Sequence, residues 1–293
     1  MSRTPERRRL IVSGDDFGMS PGVNAGIIAG HRNGILTDAS LMVNGTAFAE
    51  AVDLARATPT LAVGLHLVLV QGRATSAAHQ VPGLVDAAGM FRNNSVAAGL
   101  RYFFAPGMRA QIEREVSAQL EKYLATGLPL AHVDGHLNIH MHPTVLMILL
   151  RLASRYGVRA MRLPREPWRI SLRLDRRERR RKLVEALIFR NLTRYAHPRL
   201  AAHGIRHPDQ LFGLHQSGHV NEPYLLSVLS ALPAGLTEVY CHPAFTDDEA
   251  RRWRPADYES EVELAALTSP RVRRALRTSA IEPMSYEDLA SSG

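Results

Sequence analysis

The chain has 293 residues, of which 45% are hydrophobic and 22% charged, which is the composition of an ordinary globular protein. Its single cysteine, Cys241, excludes an internal disulfide framework and favours a reducing compartment such as the cytoplasm. The sequence contains no uncharged apolar run of about 18 residues, so no transmembrane helix is expected. The basic N-terminus lacks the apolar stretch of a secretory signal.

The net charge of +8 is concentrated in one segment. Residues 171–206 contain eleven Lys or Arg residues and three acidic residues, an excess equal to that of the whole chain. A local excess needs a local explanation, such as the phosphate groups of nucleic acid or lipid, or a solvated arm.

Short apolar, β-branched runs alternate with longer amphipathic segments along the chain. The runs predict strands over 9–14, 37–43, 61–69, 130–134, 159–163, 211–214, 236–241 and 280–284. The amphipathic segments predict helices over 22–33, 46–57, 108–126, 143–156, 222–231, 257–267 and 270–277. This alternation predicts a single α/β domain with a parallel sheet, a distorted TIM-like (β/α) barrel of seven or eight strands. A doubly wound open sheet is the alternative.

Two segments interrupt the alternation. Residues 71–106 are rich in Gly, Ala, Pro and Asn and predict a long loop. Residues 165–210 predict a basic helical insertion. Because both follow predicted strands, both are expected at the mouth of the barrel, on its active-site face.

Polar side chains occur at or near the carboxyl ends of the first seven predicted strands. These ends meet at one edge of a parallel barrel, so the side chains are expected to share one cavity. Singly, each has a structural explanation such as a helix cap or a turn, but their recurrence favours a common site. The residues are Asp15, Asp16, Asn44, His66, Asp134, His136, Arg162, His215 and His242, with His140 just beyond the fourth strand.

These residue types indicate metal-assisted hydrolysis. Three ligands drawn from histidine and carboxylate hold a zinc-like ion and leave one position for water. The ion lowers the pKa of that water and polarises a carbonyl oxygen. One of the adjacent Asp15 and Asp16 is expected to bind the metal and the other to act as the base, and His242 or His140 to protonate the departing amine.

Four motifs carry a family resemblance: "DDFG" at 15–18, "GLHL" at 64–67, "HVDGHLNIHMHP" at 132–143 and "CHPAF" at 241–245. With them, nearly the whole chain resembles the YdjC-like carbohydrate deacetylases, which include the chito-oligosaccharide deacetylases. The segment "MRLPREPW" at 161–168 and the basic insertion make it most similar to the branch associated with hopanoid biosynthesis, the HpnK type.

The resemblance implies a distorted barrel, a divalent metal ion on Asp16, His66 and His136, and Asp15 as the base. Zinc is the first expectation for the metal and magnesium the second. The implied reaction removes the N-acetyl group from an N-acetylglucosamine-type sugar, and in this branch from an N-acetylglucosaminyl hopanoid lipid. The residues expected to bind the substrate are Asn44, Asp134, Arg162 and His215.

Three alternatives stay open. Soluble chito-oligosaccharides are another substrate class, although Leu137, Asn138 and Ile139 stand where those enzymes have a histidine-rich run. A glycoside hydrolase would need catalytic carboxylates some distance apart. A non-catalytic sugar- or lipid-binding barrel would have no reason to retain the intact set of four metal and base residues.

Residues 176–195 have helical spacing, with an apolar stripe that includes Leu183, Val184 and Leu192. One interpretation is an ordinary surface helix packed on the barrel. The other is peripheral contact with an anionic membrane or with the glycolipid. The contact residues would then be Arg176, Arg177, Arg180, Arg181, Leu187 and Ile188. No nucleic-acid partner is expected, because the segment lacks interleaved stacking aromatics.

Overall fold

A computed structural model describes residues 7–174 and 178–291. The predicted contact residues Arg176 and Arg177 lie outside this range. The strands are β1 (Arg8–Phe17), β2 (Asp38–Leu41), β3 (Ala62–Leu67), β4 (Val133–Gly135), β5 (Gln210–Phe212), β6 (Gly235–Cys241) and β7 (Ile281–Pro283).

The strands form one sheet in the order β4-β3-β2-β1-β6-β5, and β7 also pairs with β1. Every pairing between these strands is parallel. Strand β6 pairs with residues 8–14 of β1. Strand β7 pairs with residues 8–10 of β1, and strand β2 pairs with its residues 13–17. Strand β1 is therefore the centre of the sheet, and its carboxyl end lies among the ends of its neighbours.

The sheet curls without closing into a barrel. The predicted strand 159–163 is reduced to isolated parallel bridges, from Met161 to Val133 and from Ala160 to Arg206. Pro164 and Pro167 follow this segment and supply no N–H group, which limits further pairing there. The expected parallel α/β architecture is confirmed, and the curled sheet is compatible with the expected distorted TIM-like barrel but is not closed.

Twelve α-helices occur in the described ranges. They are α1 (Pro21–Asn33), α2 (Phe48–Arg56), α3 (Ser95–Phe104), α4 (Met108–Leu124), α5 (Pro143–Tyr156), α6 (Trp168–Leu174), α7 (Arg179–Ala202), α8 (Glu222–Ala231), α9 (Asp248–Trp253), α10 (Ser260–Thr268), α11 (Pro270–Thr278) and α12 (Tyr286–Ser291). The seven predicted helices are all present, with ends shifted by up to three residues.

Helix α1 packs closely on the segment that follows β6. The side chain of Ser20 accepts a hydrogen bond from the backbone N–H of Val23, and Pro21 begins the helix. A Cβ atom added to Gly26 would lie 2.5 Å from Cα of Ala244, so only glycine permits this approach. The contact fixes the position of the segment that carries His242.

Helix α3 corrects the prediction of a continuous loop over 71–106. Its first residue, Ser95, follows an Asn94 side chain that accepts a hydrogen bond from the backbone N–H of Ala97. The hydroxyl of Tyr102 donates to the carbonyl of Leu69, just beyond β3. The helix therefore lies at the carboxyl edge of the sheet, and an internal cap and a buried tyrosine override the loop-like composition.

The basic insertion, residues 165–210, contains α6 and α7. Its apolar stripe does not pack on the sheet, because Leu183, Val184, Leu187 and Ile188 are all exposed. Leu192 is partly buried against the main core. Within the residues that the structure describes, no helix combines the length and apolarity needed to cross a bilayer.

Candidate active site

A β-bulge at the end of β1 turns both aspartates into one cavity. The pairing of β1 with β2 shifts between Gly14 and Phe17, so one extra residue is accommodated there. Asp16 has a φ of +71°, an uncommon value for a side chain other than glycine. In a regular strand the two carboxylates would point to opposite faces, whereas here both are buried and line the same cavity.

Strand register brings His66 and Asp134 together. His66 of β3 lies directly opposite Asp134 of β4, and its Nδ1 is 2.8 Å from Oδ1 of Asp134. Because an ionised carboxylate only accepts hydrogen bonds, Nδ1 donates to it, and a bound metal would take the place of the second ring proton on Nε2. That Nε2 lies 3.5 Å from Oδ1 of Asp16.

His136 is presented by an irregular turn directly after β4. The next two residues, Leu137 and Asn138, have φ values of +51° and +54°, so the chain turns sharply there. This turn places Nδ1 of His136 3.1 Å from Oδ1 of Asp16. The other ring nitrogen, Nε2, is buried and has no hydrogen-bond partner among the described residues.

Asp16, His66 and His136 fit a metal centre. Each offers one ligand atom, and these atoms all lie within 4.8 Å of one another in the protein interior. One carboxylate and two imidazoles are a ligand set that zinc accepts, with a further position left for water or substrate. The hydrogen bond from His66 to Asp134 is the outer contact that typically orients a metal-binding histidine.

The electrostatics of the cluster favour a cation. Burial opposes ionisation of Asp16, but a hydrogen bond from His136 and the charge of Arg254 hold its pKa well below the usual value. Burial is the largest single influence on the pKa of His66 and would lower it, but the carboxylates of Asp134, Asp15 and Asp16 together raise it to about 9. A positive charge is therefore stabilised between these side chains.

Arg162 holds the second aspartate, Asp15. Its Nη1 and Nη2 donate to Oδ2 and Oδ1 of Asp15 at 2.7 and 2.8 Å, and both residues are buried. The guanidinium also contacts Asp134 at 2.6 Å and Glu238 at 2.9 Å. Burial disfavours a charged arginine, but these carboxylates raise the pKa of Arg162 well above its usual value. Asp15 thus has a fixed orientation beside the metal ligands.

The cavity above these residues has a volume of about 280 Å³. Its walls include Asn138, Tyr240, His242 and Tyr258, in addition to the two aspartates and two histidines. His242 follows β6, and its buried Nδ1 has no hydrogen-bond partner in the described part of the chain. Burial lowers the pKa of His242 to about 4, so its ring is neutral at neutral pH.

Comparisons with known proteins identify the family of this chain. The family described as YdjC-like protein matches residues 9–278. The chain belongs to the YdjC-like family. A Geobacillus stearothermophilus protein named carbohydrate deacetylase is 32% identical over 283 residues, covering 96% of this chain and 98% of that protein. A Salmonella schwarzengrund protein named chitooligosaccharide deacetylase is 29% identical over 288 residues, covering 96% and 99%.

A solved structure has the same fold as this YdjC-like chain. It is an Enterococcus faecalis V583 protein named for cellobiose-phosphate cleavage, with a TM-score of 0.76 and 27% sequence identity. The match covers 97% of this chain and 99% of that one. The open, curled parallel sheet is thus found in a related protein.

Five predicted site residues of this YdjC-like chain lie outside the walls of the active-site cavity. Asp134 and Arg162, expected to bind the substrate, are instead buried partners of His66 and Asp15. His140 is fully buried behind the cavity, and its Nε2 donates to the carbonyl of Arg162 at 3.0 Å. Asn44 donates its side-chain amide to the carbonyl of Arg73. His215 lines a different cavity and bonds Glu185 through Nδ1 at 3.2 Å. Their predicted roles remain predictions.

Two buried residues were missed by sequence reasoning about this YdjC-like chain. Arg254 donates to Oδ2 of Asp16 at 3.1 Å and to the carbonyl of His242 at 2.8 Å. Glu238 accepts from Arg162 and from Ser13. Arg254 follows a short helix rather than a strand, so its position at the site left no pattern in the sequence. Glu238 in "TEVYC" was a detectable signal, because it is a charge inside an otherwise apolar strand.

Proposed function

We propose that this protein is a metal-dependent deacetylase that removes the N-acetyl group from an N-acetylglucosamine-type sugar. The observation that carries this proposal is the convergence of Asp16, His66 and His136 beside a separate, oriented carboxylate, Asp15. The named activities of the full-length relatives support a carbohydrate substrate and deacetylation.

Different side chains of the protein carry out different parts of the proposed reaction. When bound, a divalent metal would polarise the acetamide carbonyl and lower the pKa of a water molecule. Asp15 accepts the proton of the attacking water, and Arg162 fixes the carboxylate for this step. Asp15 is outside the proposed ligand set of Asp16, His66 and His136, and each of its oxygens keeps a further lone pair beyond the bond to Arg162, so it can accept a proton.

His242 is the group that we assign to the departing amine. It lines the cavity together with Asp15, whereas His140 does not. Its neutral ring would take up the proton that Asp15 accepts from the water and pass it to the nitrogen as the C–N bond breaks. The free Nδ1 supports this assignment, since no protein group occupies it in the described residues.

We propose zinc as the metal. Two imidazole nitrogens and one carboxylate oxygen are a usual zinc set, whereas magnesium prefers oxygen ligands and retains several waters. Magnesium is the alternative, and the two are distinguished by the metal that copurifies with the protein and restores activity after removal.

An N-acetylglucosaminyl lipid of the hopanoid class is the substrate that we place first. Helix α7 supports it, because the helix exposes apolar side chains beside the cavity, with Leu187 exposed to 62% and Val184 to 59%. Arg181 and Phe189 of the same helix line the cavity. An exposed apolar face flanked by arginines suits an anionic membrane surface.

A second helix supports the same contact. Helix α3 exposes Val96, Leu100, Phe103 and Phe104, the last to 73%. Its first residue, Ser95, lines the active-site cavity. Apolar surface on both sides of the mouth favours a substrate that is presented by a membrane. The single, buried Cys241 agrees with a cytoplasmic location at the inner face of that membrane.

Soluble chito-oligosaccharides are the second candidate substrate. The activity named for the Salmonella relative favours them. A hydrophilic oligosaccharide would use the cavity without any need for the apolar surface of α3 and α7.

Acetate release from N-acetylglucosaminyl lipid and from N-acetylated chitin oligomers tests the proposal. The metal content of the purified protein is measured in parallel with the activity. We expect stoichiometric metal, and loss of both metal and acetate release in His66→Ala and His136→Ala. A fully active protein without metal would overturn the metal-dependent mechanism, and acetate release from oligomers alone would overturn the lipid substrate.

A further inference from the structure

A second cavity lies beside the active-site cavity, and we call it the lateral cavity. Parts of 163–168 and 209–215 and one face of α7 line it, and its volume is about 810 Å³. Phe189 and Leu214 line both cavities, so the two are direct neighbours. The proposed deacetylation chemistry does not use this space.

Three arginines line the lateral cavity without a charged partner. Arg165 follows the bridging segment 159–163, and Arg190 and Arg194 lie one turn apart on α7. Among the described residues, none of these three guanidinium groups makes an ion pair or a side-chain hydrogen bond. All three residues are exposed, and two of them, Arg190 and Arg194, place part of the basic excess of 171–206 at the border of a cavity.

The two carboxylates in the lining do not neutralise these arginines. Glu166 accepts hydrogen bonds from the backbone N–H of His215 at 3.0 Å and from the hydroxyl of Ser171. Burial raises the pKa of Glu166, which favours its uncharged form. Asp209 accepts from the backbone N–H of Leu236 at 2.8 Å. Even with both carboxylates ionised, the three guanidinium groups outnumber them, so the net formal charge of these side chains is positive.

We propose that the lateral cavity binds a phosphate group through Arg165, Arg190 and Arg194. Guanidinium groups form paired hydrogen bonds with phosphate oxygens, and several of them together select phosphate over a neutral ligand. Trp168 and Phe189 add apolar surface to the same lining, which suits a phosphate carried by a sugar ring or by a glycerolipid.

Two classes of ligand could bring a phosphate group to the lateral cavity. One is a phosphate on a soluble sugar, which could extend from the active-site cavity past Phe189 and Leu214. The other is the headgroup of an anionic phospholipid in the membrane on which α7 would rest. The first class rests on the proposed deacetylase function, whereas phosphate binding itself does not.

Calorimetric titration and vesicle flotation of the full-length protein test this proposal. The soluble probes are inorganic phosphate and N-acetylglucosamine 1-phosphate, with N-acetylglucosamine as the uncharged reference. The vesicles contain phosphatidylcholine with or without phosphatidylglycerol. The test variant is Arg190→Gln with Arg194→Gln, and the matched control is Arg273→Gln with Arg277→Gln, which removes equally spaced, exposed charges from α11.

We expect the test variant to bind the phosphorylated probe at least about tenfold more weakly than wild type, and the control to bind it normally. Tight binding of the sugar phosphate assigns the cavity to a soluble ligand, and binding only to phosphatidylglycerol vesicles assigns it to a headgroup. Equal losses in both variants, or no loss in the test variant, would overturn the proposal. So would wild-type protein that binds no phosphorylated probe. Since no turnover is measured, absence of deacetylase activity would leave this result unaffected.

Discussion

Arg162 and Asp15 are joined by two parallel hydrogen bonds of 2.7 and 2.8 Å in the protein interior. The two residues are 147 positions apart in sequence, and the same guanidinium faces Asp134 and Glu238. One cation thus offsets three buried carboxylates, one of which is the proposed base. Orientation of the base and stability of the fold depend on the same side chain.

Arg162→Lys is expected to retain metal and to lose about 100-fold in turnover, because an ammonium cannot make the planar pair of hydrogen bonds to Asp15. Arg162→Met should also lower the free energy of unfolding by roughly 3–5 kcal/mol, since the carboxylates lose their counter-charge. Acetate release and chemical denaturation measure the two effects. A fully active Lys variant would show that Arg162 has no positioning role.

Asp15→Asn and Asp16→Asn are expected to separate catalysis from metal binding. The first should keep the metal but lose roughly 10²–10⁴-fold in turnover, because the base is gone. The second should lose metal on dialysis, because an amide is a weaker ligand than a carboxylate. Metal analysis alongside the acetate assay gives both quantities. The reverse pattern would exchange the two roles.

Asp134→Asn is expected to weaken metal binding by about 10- to 100-fold, because the hydrogen bond to His66 fixes the tautomer of that ligand. Competition with a chromogenic chelator measures the affinity. Ser40→Ala is the matched control, since Ser40 donates to the other oxygen of Asp134 at 2.8 Å. An equal effect in both variants would point to general disruption of the buried network.

His242→Ala is expected to lower turnover by about 100-fold with little change in the unfolding midpoint. His140→Ala should instead lower stability by about 1–3 kcal/mol, because it leaves the carbonyl of Arg162 without its donor in the interior. Thermal unfolding and acetate release distinguish the two. If His140→Gln, which can still donate a hydrogen bond, is stable but inactive, the assignment of the acid moves to His140.

Leu187→Ser combined with Ile188→Ser is expected to reduce flotation with anionic vesicles. Both side chains are exposed, so their loss should change the free energy of unfolding by less than about 0.5 kcal/mol. Activity on soluble oligomers serves as the internal control and should stay constant. Unchanged flotation would remove α7 from the membrane contact.

The alternation of strands and helices was predictable because apolar periodicity is a local property. The polar residues at the strand ends were also predictable, whereas the choice of Asp16, His66 and His136 as the metal ligands came from the resemblance to the YdjC-like deacetylases. Predictions made from local composition were wrong where contacts with residues distant in sequence decide the structure. Helix α3 is anchored by Tyr102 on Leu69, and segment 159–163 makes only isolated bridges, to Val133 and Arg206.

What the sequence determined by itself was the kind of chemistry: carboxylates and imidazoles at the ends of parallel strands, which imply a cation at one edge of the sheet. Only the tertiary structure decided which groups share the cavity. The bulge at Asp15 and Asp16 brings in both carboxylates, Arg254 arrives from beyond α9, and His140 is turned away toward the carbonyl of Arg162. The physical reason is that side-chain type is encoded at each position, whereas orientation depends on strand register, backbone irregularity and buried partners far away in sequence.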